Sequence, residues 1–292
     1  MSESCVLTRP SFRYLSQVKR SSQSVIQIDR SAECLPYLLY FDTAIAAYWR
    51  ALALPYAQTM HALDGDLFVR KASVDYLASA RYDDMLDIGM RCERIGNSSI
   101  LFRGAVFRQD QLLVGGELVY VFADPREQTS KPVPQALREV LLGFEAGESM
   151  LDVRVGDWAT LGAAAKAIRS EVFIVEQKIP IEVEWDEADA QCVHAVAFNR
   201  LGLPLATGRL LQPAPQLARI GRMASSQAVR GAGVGRAVLD ALLQAARDRG
   251  DTEVVLHAQL SAAPFYSRAG FNARGAVFEE AGIAHIEMTR AL

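Results

Sequence analysis

Hydrophobic positions in the first half of the chain change from a helical spacing to strand-like spacings. From residue 37 onward, apolar side chains recur every three or four residues, as in a helix that buries one broad face. The stripe consists of Leu38, Phe41, Ile45, Trp49 and Leu52, widened by Ala44 and Tyr48. Four segments with alternating or β-branched apolar residues follow, at residues 67–77, 85–95, 99–108 and 112–123. This order predicts a sheet wrapped around one long helix.

The second half of the chain alternates between strand-like and helix-like segments. A polar, proline-bearing stretch and a short helical run at residues 135–144 precede it, so the domain boundary is expected near residues 145–149. A helical stripe then runs from Leu161 to Val172 and Val175. We predict strands at 151–155, 193–198, 205–211, 217–224, 254–260, 276–278 and 285–290, and further helices at 235–249 and 263–269.

These patterns predict two domains of the α+β and α/β classes behind a short lead-in. The lead-in at residues 1–24 is rich in serine and basic side chains, and we expect it to be weakly structured. The first domain is expected at residues 25–148 and the second at 149–292. A chain of 292 residues also fits two domains by length alone.

Composition narrows the classes of partner and the cellular compartment. The chain has 31 basic and 34 acidic residues and a net charge of −3, which gives no reason to expect a nucleic acid or a membrane surface as partner. A small molecule is the better expectation. We see neither a membrane-spanning apolar stretch nor a signal peptide, so we expect a cytoplasmic protein. The four cysteines form no CxxC pair, which favours reduced thiols and no metal site.

The most informative segment reads as a strand, a glycine-rich loop and an amphipathic helix in immediate succession. Gly231, Gly233 and Gly235 stand at alternate positions, which lets backbone N–H groups converge on an anion at the positive end of the helix. Arg230 and Arg236 flank the loop and can neutralise phosphate charge. A tight strand-to-helix turn without any ligand is the alternative.

This segment resembles the coenzyme A cradle of the GNAT acyltransferase superfamily, written R/Q-x-x-G-x-G/A. Arg230, Gly233 and Gly235 occupy its defined positions. The surrounding segments IRSEVFIVEQKIPIEVEWDEAD, LHAQLSAAPFYSRAGF and FEEAGIAHIEM resemble the ElaA-like branch, and the resemblance covers residues 151–292. It implies a mixed central sheet flanked by helices, acetyl-CoA or another acyl-CoA as co-substrate, and an amine as acceptor.

The resemblance also implies roles for individual residues. The end of the strand before the loop borders the pantetheine arm, and the loop amides hold the pyrophosphate. The implied cofactor-binding residues are Met223, Ala224, Ser225, Arg230, Gly231, Ala232, Gly233, Val234, Gly235 and Arg236. Tyr266 is the candidate general acid that protonates the departing thiolate, which suits a reaction without a covalent enzyme intermediate. The alternative for Tyr266 is aromatic packing beside Phe265 and Phe271.

The general base is open among several groups. Glu184 belongs to an acidic patch with Glu182, Asp186 and Glu187, which either receives a cationic amine or is a solvated face. His257 shares a strand face with Gln259 and is a second candidate, although a lone histidine in an apolar strand is commonly a core residue. His194 and His285 are weaker candidates.

The first half resembles the hotdog-fold acyl-CoA thioesterases of the 4-hydroxybenzoyl-CoA and YbgC type. The resemblance lies in LLYFDTAIAAYWRAL, in the strands after it, and in LLVGGELVYVFAD. The family's D-x-D-x-x-G-x-V loop is degenerate: its glycine is missing, and the catalytic position falls on Gln27 without a gap or on Asp29 with a two-residue deletion. Asp29 is therefore a candidate thioesterase residue, while Cys34 is expected to be a packing residue. The resemblance implies at least a homodimer.

Three functions remain open from the sequence. The leading one is an acyl-CoA-dependent N-acyltransferase fused to a hotdog domain that binds or hydrolyses acyl-CoA, which would make the chain bifunctional. The second is an acyl-CoA thioesterase with a CoA-binding regulatory domain. The third is a non-enzymatic acyl-CoA sensor.

Overall fold

The computed structural model describes residues 7–19, 35–81 and 83–292. The chain divides into two compact units, Met1–Met150 and Leu151–Leu292. Gln27, Asp29 and Cys34 lie outside the described residues. No helix among the described residues is long and apolar enough to cross a membrane.

The first unit combines one long helix with a five-stranded antiparallel sheet, as predicted. The sheet order is β1-β3-β4-β5-β2, so β1 and β2 form its two edges. The elements are β1 (Tyr14–Lys19), α1 (Leu35–Ala51), α2 (Tyr56–Ala62), β2 (Asp66–Tyr76), β3 (Met85–Ile95), β4 (Ser99–Arg108), β5 (Gln111–Ala123) and α3 (Gln135–Glu145).

The ring of Phe41 makes the closest approach of helix α1 to two facing glycines of the sheet. Gly104 of β4 and Gly116 of β5 stand directly opposite each other, and both face the fully buried ring of Phe41. A Cβ atom added to Gly104 or to Gly116 would lie 2.6 or 2.5 Å from that ring. The two glycines therefore create the space in which the helix approaches the sheet closely.

Two elements of the first unit were not predicted. The lead-in expected to be weakly structured contains β1, which pairs along its whole length with β3. Phe12, just before β1, is 4% exposed and fills the space over Gly89, where an added Cβ would lie 2.6 Å from its ring. The prediction of a weakly structured lead-in is wrong at these residues, because one buried aromatic ring and six paired residues hold them in place. The segment is too short to show an apolar periodicity in the sequence. Helix α2 was missed for the same reason of length.

The second unit is built on a seven-stranded mixed sheet. Its order is β11-β12-β10-β9-β8-β7-β6, in which only β9 and β10 are parallel among the described strands. The strands are β6 (Leu151–Gly156), β7 (Val193–Asn199), β8 (Pro204–Ala214), β9 (Leu217–Ser225), β10 (Glu253–Gln259), β11 (Asn272–Glu280) and β12 (Ile283–Ala291). The helices are α4 (Trp158–Arg169), α5 (Ile181–Glu184), α6 (Val234–Arg249) and α7 (Ala263–Arg268).

The helix predicted through Val175 changes its winding after α4. Residues Ser170–Glu176 form a π-helix, which has more residues per turn than an α-helix. The change keeps Val172 buried but turns Val175 outward, where it is 62% exposed. The apolar stripe predicted from α-helical spacing therefore ends at Val172.

We expect Phe41→Ala to destabilise the first unit by about 3–5 kcal/mol, because the cavity left between the two facing glycines has no side chain to fill it. Native-state hydrogen exchange of the β4 and β5 amides measures this loss. Leu39→Ala is the matched control on the same helix, since Leu39 is 59% exposed and its removal is expected to change stability by less than about 0.5 kcal/mol. Unchanged protection of these amides from exchange in Phe41→Ala would contradict this role of the Phe41 ring.

Candidate active site

A fork between two parallel strands forms the framework of the site. β9 and β10 pair over four residues only, from Leu217 opposite Glu253 to Ile220 opposite Leu256. Beyond that point each strand continues without the other, β9 to Ser225 and β10 to Gln259. The strands part, and a cleft of about 1080 Å³ is lined by residues from both of them.

A bulge in β9 accompanies the parting of the strands. Thr207 of β8 faces Ala224, but Arg209 faces Gly221, so β9 holds one extra residue between these two pairs. Arg222, inside this interval, has a left-handed φ of 52°. A bulge bends its strand and increases the local twist, which is consistent with β9 turning away from β10 here.

The glycine-rich loop lies at the open end of this fork. Gly231 and Gly233 have φ values of 86° and 81°, a conformation that disfavours any residue with a Cβ. Gly233 is the N-cap of α6, so the first N–H groups of that helix have no partner within it. A Cβ added to Gly235 would lie 2.9 Å from the Ser225 hydroxyl oxygen. The loop therefore presents bare backbone to the cleft.

Not every amide of the loop faces the cleft freely. The N–H groups of Arg230 and Ala232 donate to the carbonyl oxygens of Gln227 and Val229, at 3.3 and 3.1 Å. Of the ten residues predicted to bind the cofactor, Ala232 lies outside the cleft lining and the other nine belong to it.

Both arginines that flank the loop already have carboxylate partners. Arg230 makes two contacts of 2.7 and 2.6 Å with Glu176, at the end of the π-helix, and this pairing raises the pKa of Arg230. Arg236 contacts Asp240, one turn along α6, at 2.8 Å. Their charges are thus largely balanced, which leaves backbone N–H groups as the main electropositive feature of the loop.

Tyr266 of α7 brings a hydroxyl to the same cleft. Tyr266 is 7% exposed, and its ring centre lies 4.9 Å from that of Phe265 and 6.0 Å from that of Phe271. The packing predicted as the alternative role is therefore present, yet Tyr266 also lines the cleft. Within the part of the chain that the structure describes, no hydrogen-bond partner faces its hydroxyl. Burial raises the pKa of Tyr266 to about 12, so the phenol keeps its proton at neutral pH.

His257 of β10 lies in the cleft between two oppositely charged side chains. Its Nδ1 atom is 3.0 Å from a carboxylate oxygen of Glu280 and 3.0 Å from a guanidinium nitrogen of Arg219. Burial alone would raise the pKa of Glu280, but the hydrogen bond and positive charge of His257, together with His285 and Arg219, lower it. The Glu280 carboxyl is therefore an anion at neutral pH.

Glu184 belongs to a buried network of ion pairs at another wall of the cleft. It is 2% exposed and accepts a short hydrogen bond from the Nε of Arg169, while Arg222 lies 3.3 Å from its other oxygen. Arg169 also contacts Asp189 at 2.8 Å. Burial raises the pKa of Glu184, and the two arginines act against this shift. Both carboxylate oxygens of Glu184 are thus engaged.

Of the two weaker candidates for the general base, one lines the cleft and the other is buried. His285 lines the cleft and its Nδ1 lies 2.8 Å from the Ile283 carbonyl oxygen. His194 is 1% exposed and contacts the Asp189 carbonyl oxygen at 2.8 Å. In residues 7–19, 35–81 and 83–292 no group of three His, Cys, Asp or Glu side chains is arranged to hold a metal ion.

Sequence reasoning missed Arg219 and Glu280, both of which line the cleft. An arginine within the apolar run of a central strand is a signal that was present for Arg219. Glu280 had none, because β11 is brought near His257 only through β12, which pairs with both β10 and β11.

Comparison with known proteins identifies both units. The family model described as Acetyltransferase (GNAT) domain matches residues 205–292, and the model described as Thioesterase superfamily matches residues 37–114. An uncharacterized N-acetyltransferase, YjcF of Bacillus subtilis, is 34% identical over 124 residues, which are 42% of this chain and 87% of YjcF. ElaA of Escherichia coli is 33% identical over 127 residues, covering 42% of this chain and 82% of ElaA.

Among solved structures, an acyl-CoA N-acyltransferase from Pseudomonas aeruginosa is 39% identical, with 48% of this chain and 99% of that chain covered and a TM-score of 0.44. The predicted pair of folds is confirmed by the two family matches. The first unit, whose residues 37–114 match the thioesterase superfamily model, has a hotdog-like fold and is called the hotdog unit below. Through its second unit, the chain belongs to the GNAT acetyltransferase family.

Proposed function

We propose that residues 149–292 transfer an acyl group from acetyl-CoA or another acyl-CoA to an amine. The observation that carries this proposal is the convergence of three features on one cleft: the parted strands, the glycine-rich start of α6 and the protonated phenol of Tyr266. Each has a distinct task in an acyl transfer from a thioester. The thioester supplies the acyl group and a thiolate leaving group.

The residues present fit a diphosphate-bearing ligand. The positive φ of Gly231 and Gly233 and the absence of a Cβ at Gly235 leave backbone N–H groups from 231 to 236, other than that of Ala232, accessible to phosphate oxygens. Beyond Ile220 no strand of the described residues pairs with the edge of β9 that faces the fork, so Met223, Ala224 and Ser225 can hydrogen-bond the pantetheine amides.

Tyr266 is proposed as the general acid. Its raised pKa keeps the proton on the phenol oxygen at neutral pH, so the hydroxyl can donate a hydrogen bond and then its proton to the sulfur as negative charge develops there. Its ring is fixed by two neighbouring phenylalanines, so the hydroxyl needs no reorientation to act.

His257 is proposed as the general base in preference to Glu184. An amine that attacks the thioester carbonyl must lose a proton, and the acceptor of that proton needs a free lone pair at the cleft. Both oxygens of Glu184 are held by arginines at 3.3 Å or less, whereas a His257 that donates through Nδ1 to Glu280 keeps a lone pair on Nε2, which Arg219 approaches only to 3.5 Å. Glu184 is then a structural residue of the cleft wall.

The glycine cradle can be tested with two matched substitutions. Gly233 and Gly202 have φ values of 81° and 78°, and in neither case would an added Cβ meet any atom within 4 Å. We expect Gly233→Ala and Gly202→Ala to lower stability alike, by about 1–2 kcal/mol. Only Gly233→Ala is expected to weaken acetyl-CoA binding, by about tenfold, because its methyl group covers the phosphate-binding amides. Isothermal titration measures both affinities, and equal affinities would refute the cradle.

Tyr266→Phe tests the acid. We expect the amine-dependent release of CoA thiol to fall by about 100-fold or more in kcat, with the Kd of acetyl-CoA little changed because the ring is retained. Tyr120→Phe in the first unit is the control and is expected to be unaffected. Full turnover by the Tyr266 variant at every pH would remove the acid role.

The hotdog unit supplies a second candidate function, because its family match is to the thioesterase superfamily. We propose that residues 25–148 bind acyl-CoA, with Asp29 as the residue that would support hydrolysis. Thiol release without amine that persists in the Tyr266 variant and disappears in Asp29→Asn is the expected signature of hydrolysis. Release that is insensitive to Asp29→Asn would remove this role.

A homodimer through the hotdog unit is also proposed. β2 is an edge strand with exposed apolar side chains, Phe68 at 40% and Val69 at 58%, and such an edge favours pairing with another strand. Light scattering is expected to give twice the chain mass at micromolar concentration and a monomer for Val69→Lys. Val155→Lys, at a site that is 46% exposed in the second unit, is the control. A monodisperse wild-type monomer would overturn the proposal.

A further inference from the structure

The charges that line the cleft are not fully balanced by one another. Six arginines and four carboxylates belong to its lining. Four of the arginines have a carboxylate within 4.0 Å, namely Arg209, Arg222, Arg230 and Arg236. Within the described residues, Arg219 and Arg268 have none. Arg268 is exposed and follows Tyr266 on α7, with its carbonyl oxygen 3.4 Å from Arg236 at the start of α6. It therefore lies near the proposed phosphate site.

Arg219 stands elsewhere, at the base of the fork. It faces Val255 in the last stretch where β9 and β10 still pair, and its guanidinium reaches toward His257. A guanidinium carries five N–H donors in a planar fork. Among the described residues, one nitrogen of the Arg219 guanidinium contacts the imidazole of His257, at 3.0 Å from Nδ1 and 3.5 Å from Nε2. Most of the hydrogen-bonding capacity of Arg219 is thus open to a ligand.

The contact with His257 itself is weakened by Glu280. Nδ1 lies 3.0 Å from both Arg219 and Glu280, but a single ring nitrogen cannot donate to the carboxylate and accept from the guanidinium together. The carboxylate is an anion and is the stronger partner for an Nδ1–H group. When His257 donates to Glu280, Arg219 keeps only its longer contact of 3.5 Å, with Nε2, and it interacts with Glu280 and Glu287 through charge without an ion pair within 4.0 Å among the described residues. Its guanidinium can therefore still bind an anion directly.

One wall of the cleft therefore holds a cation, a base and an anion side by side, namely Arg219, His257 and Glu280. We propose that the acceptor is an amino acid, or another compound in which a carboxylate lies next to the reacting amine. Its carboxylate binds Arg219 and its amino group lies beside His257 and Glu280. This inference rests on the proposed acyl transfer and specifies the class of acceptor.

The reaction balances with these residues. A protonated amine first gives up one proton to water. The free amine nitrogen then bonds to the acyl carbon as the carbon–sulfur bond breaks, a second proton passes from nitrogen to Nε2 of His257, and Tyr266 supplies a proton to sulfur. His257 then loses its added proton to water and Tyr266 regains its proton from water. Glu280 favours the approach of a protonated amine, and Arg219 opposes the binding of a purely cationic amine at the same place. A planar carboxylate, which accepts two parallel hydrogen bonds from a guanidinium, removes that opposition.

The test uses the full chain, acetyl-CoA and matched acceptors that differ only at the carboxylate. For leucine, phenylalanine, glutamate and lysine, the amino acid is compared with its carboxamide and its decarboxylated amine by the initial rate of thiol release. In at least one set we expect kcat/KM for the amino acid to exceed that for both analogues by about tenfold or more. Equal or lower values in every set would overturn the inference.

Substitution of Arg219 assigns the preference to this residue. Arg219→Met is expected to raise the KM for the amino acid by about tenfold or more and to bring the ratio of amino acid to carboxamide close to one. Arg219→Lys is expected to retain part of the preference. Arg247→Met, at an exposed position in the last turn of α6, is the control and should match the wild type. A loss in Arg219→Met that is equal for acid and amide would show a structural role and contradict the inference.

Different results would contradict the proposed acceptor class and the proposed acyl transfer. If amines without a carboxylate are acetylated best, only the acceptor class is wrong. If no amine of any kind accelerates thiol release, the proposed acyl transfer itself fails.

Discussion

The second unit depends on the place where β9 stops pairing with β10. Four paired residues hold the two parallel strands together, and the bulge at Arg222 adds one residue to β9 just beyond them. A continuous sheet would have closed this region with backbone hydrogen bonds. Instead, the strands part, the cleft opens between them, and the free edge of β9 becomes a surface that can pair with a ligand. The cradle, Tyr266 and His257 are all placed relative to this fork.

A network of buried charges forms another wall of the cleft. Arg169, 1% exposed, is held by Glu184 and Asp189, and Asp189 also contacts Arg209 of β8 at 2.7 Å. Removing one partner from such a network leaves an uncompensated buried charge, which is far costlier than losing an exposed pair. The network therefore fixes the segment that carries Glu184 and Asp189 against β8. Of the acidic patch predicted from the sequence, Glu184 and Asp186 have arginine partners, which favours a structural task for these two residues.

The sequence contained the elements of the fold more completely than the details of the site. The spacing of apolar residues predicted the extents of β3, β4 and α6 to within a residue, because each element is long enough for its apolar spacing to repeat several times. The glycines of the cradle could also be predicted from the sequence, since glycine is strongly favoured at a left-handed position such as Gly233. β1 was missed because its segment is too short to show an apolar pattern, although the buried ring of Phe12 holds it in place. Glu280 was missed because its meeting with His257 depends on sheet pairing, and the π-helix was missed because α-helical spacing was assumed through Val175.

Co-crystallisation of the full chain with coenzyme A tests the central claim most directly. The account predicts diphosphate oxygens within hydrogen-bonding distance of the amide nitrogens of Gly233, Val234 and Gly235, the pantetheine along Met223–Ser225, and the sulfur beside the Tyr266 hydroxyl. Coenzyme A bound only to the hotdog unit, or bound in the cleft with its sulfur away from Tyr266, would contradict it.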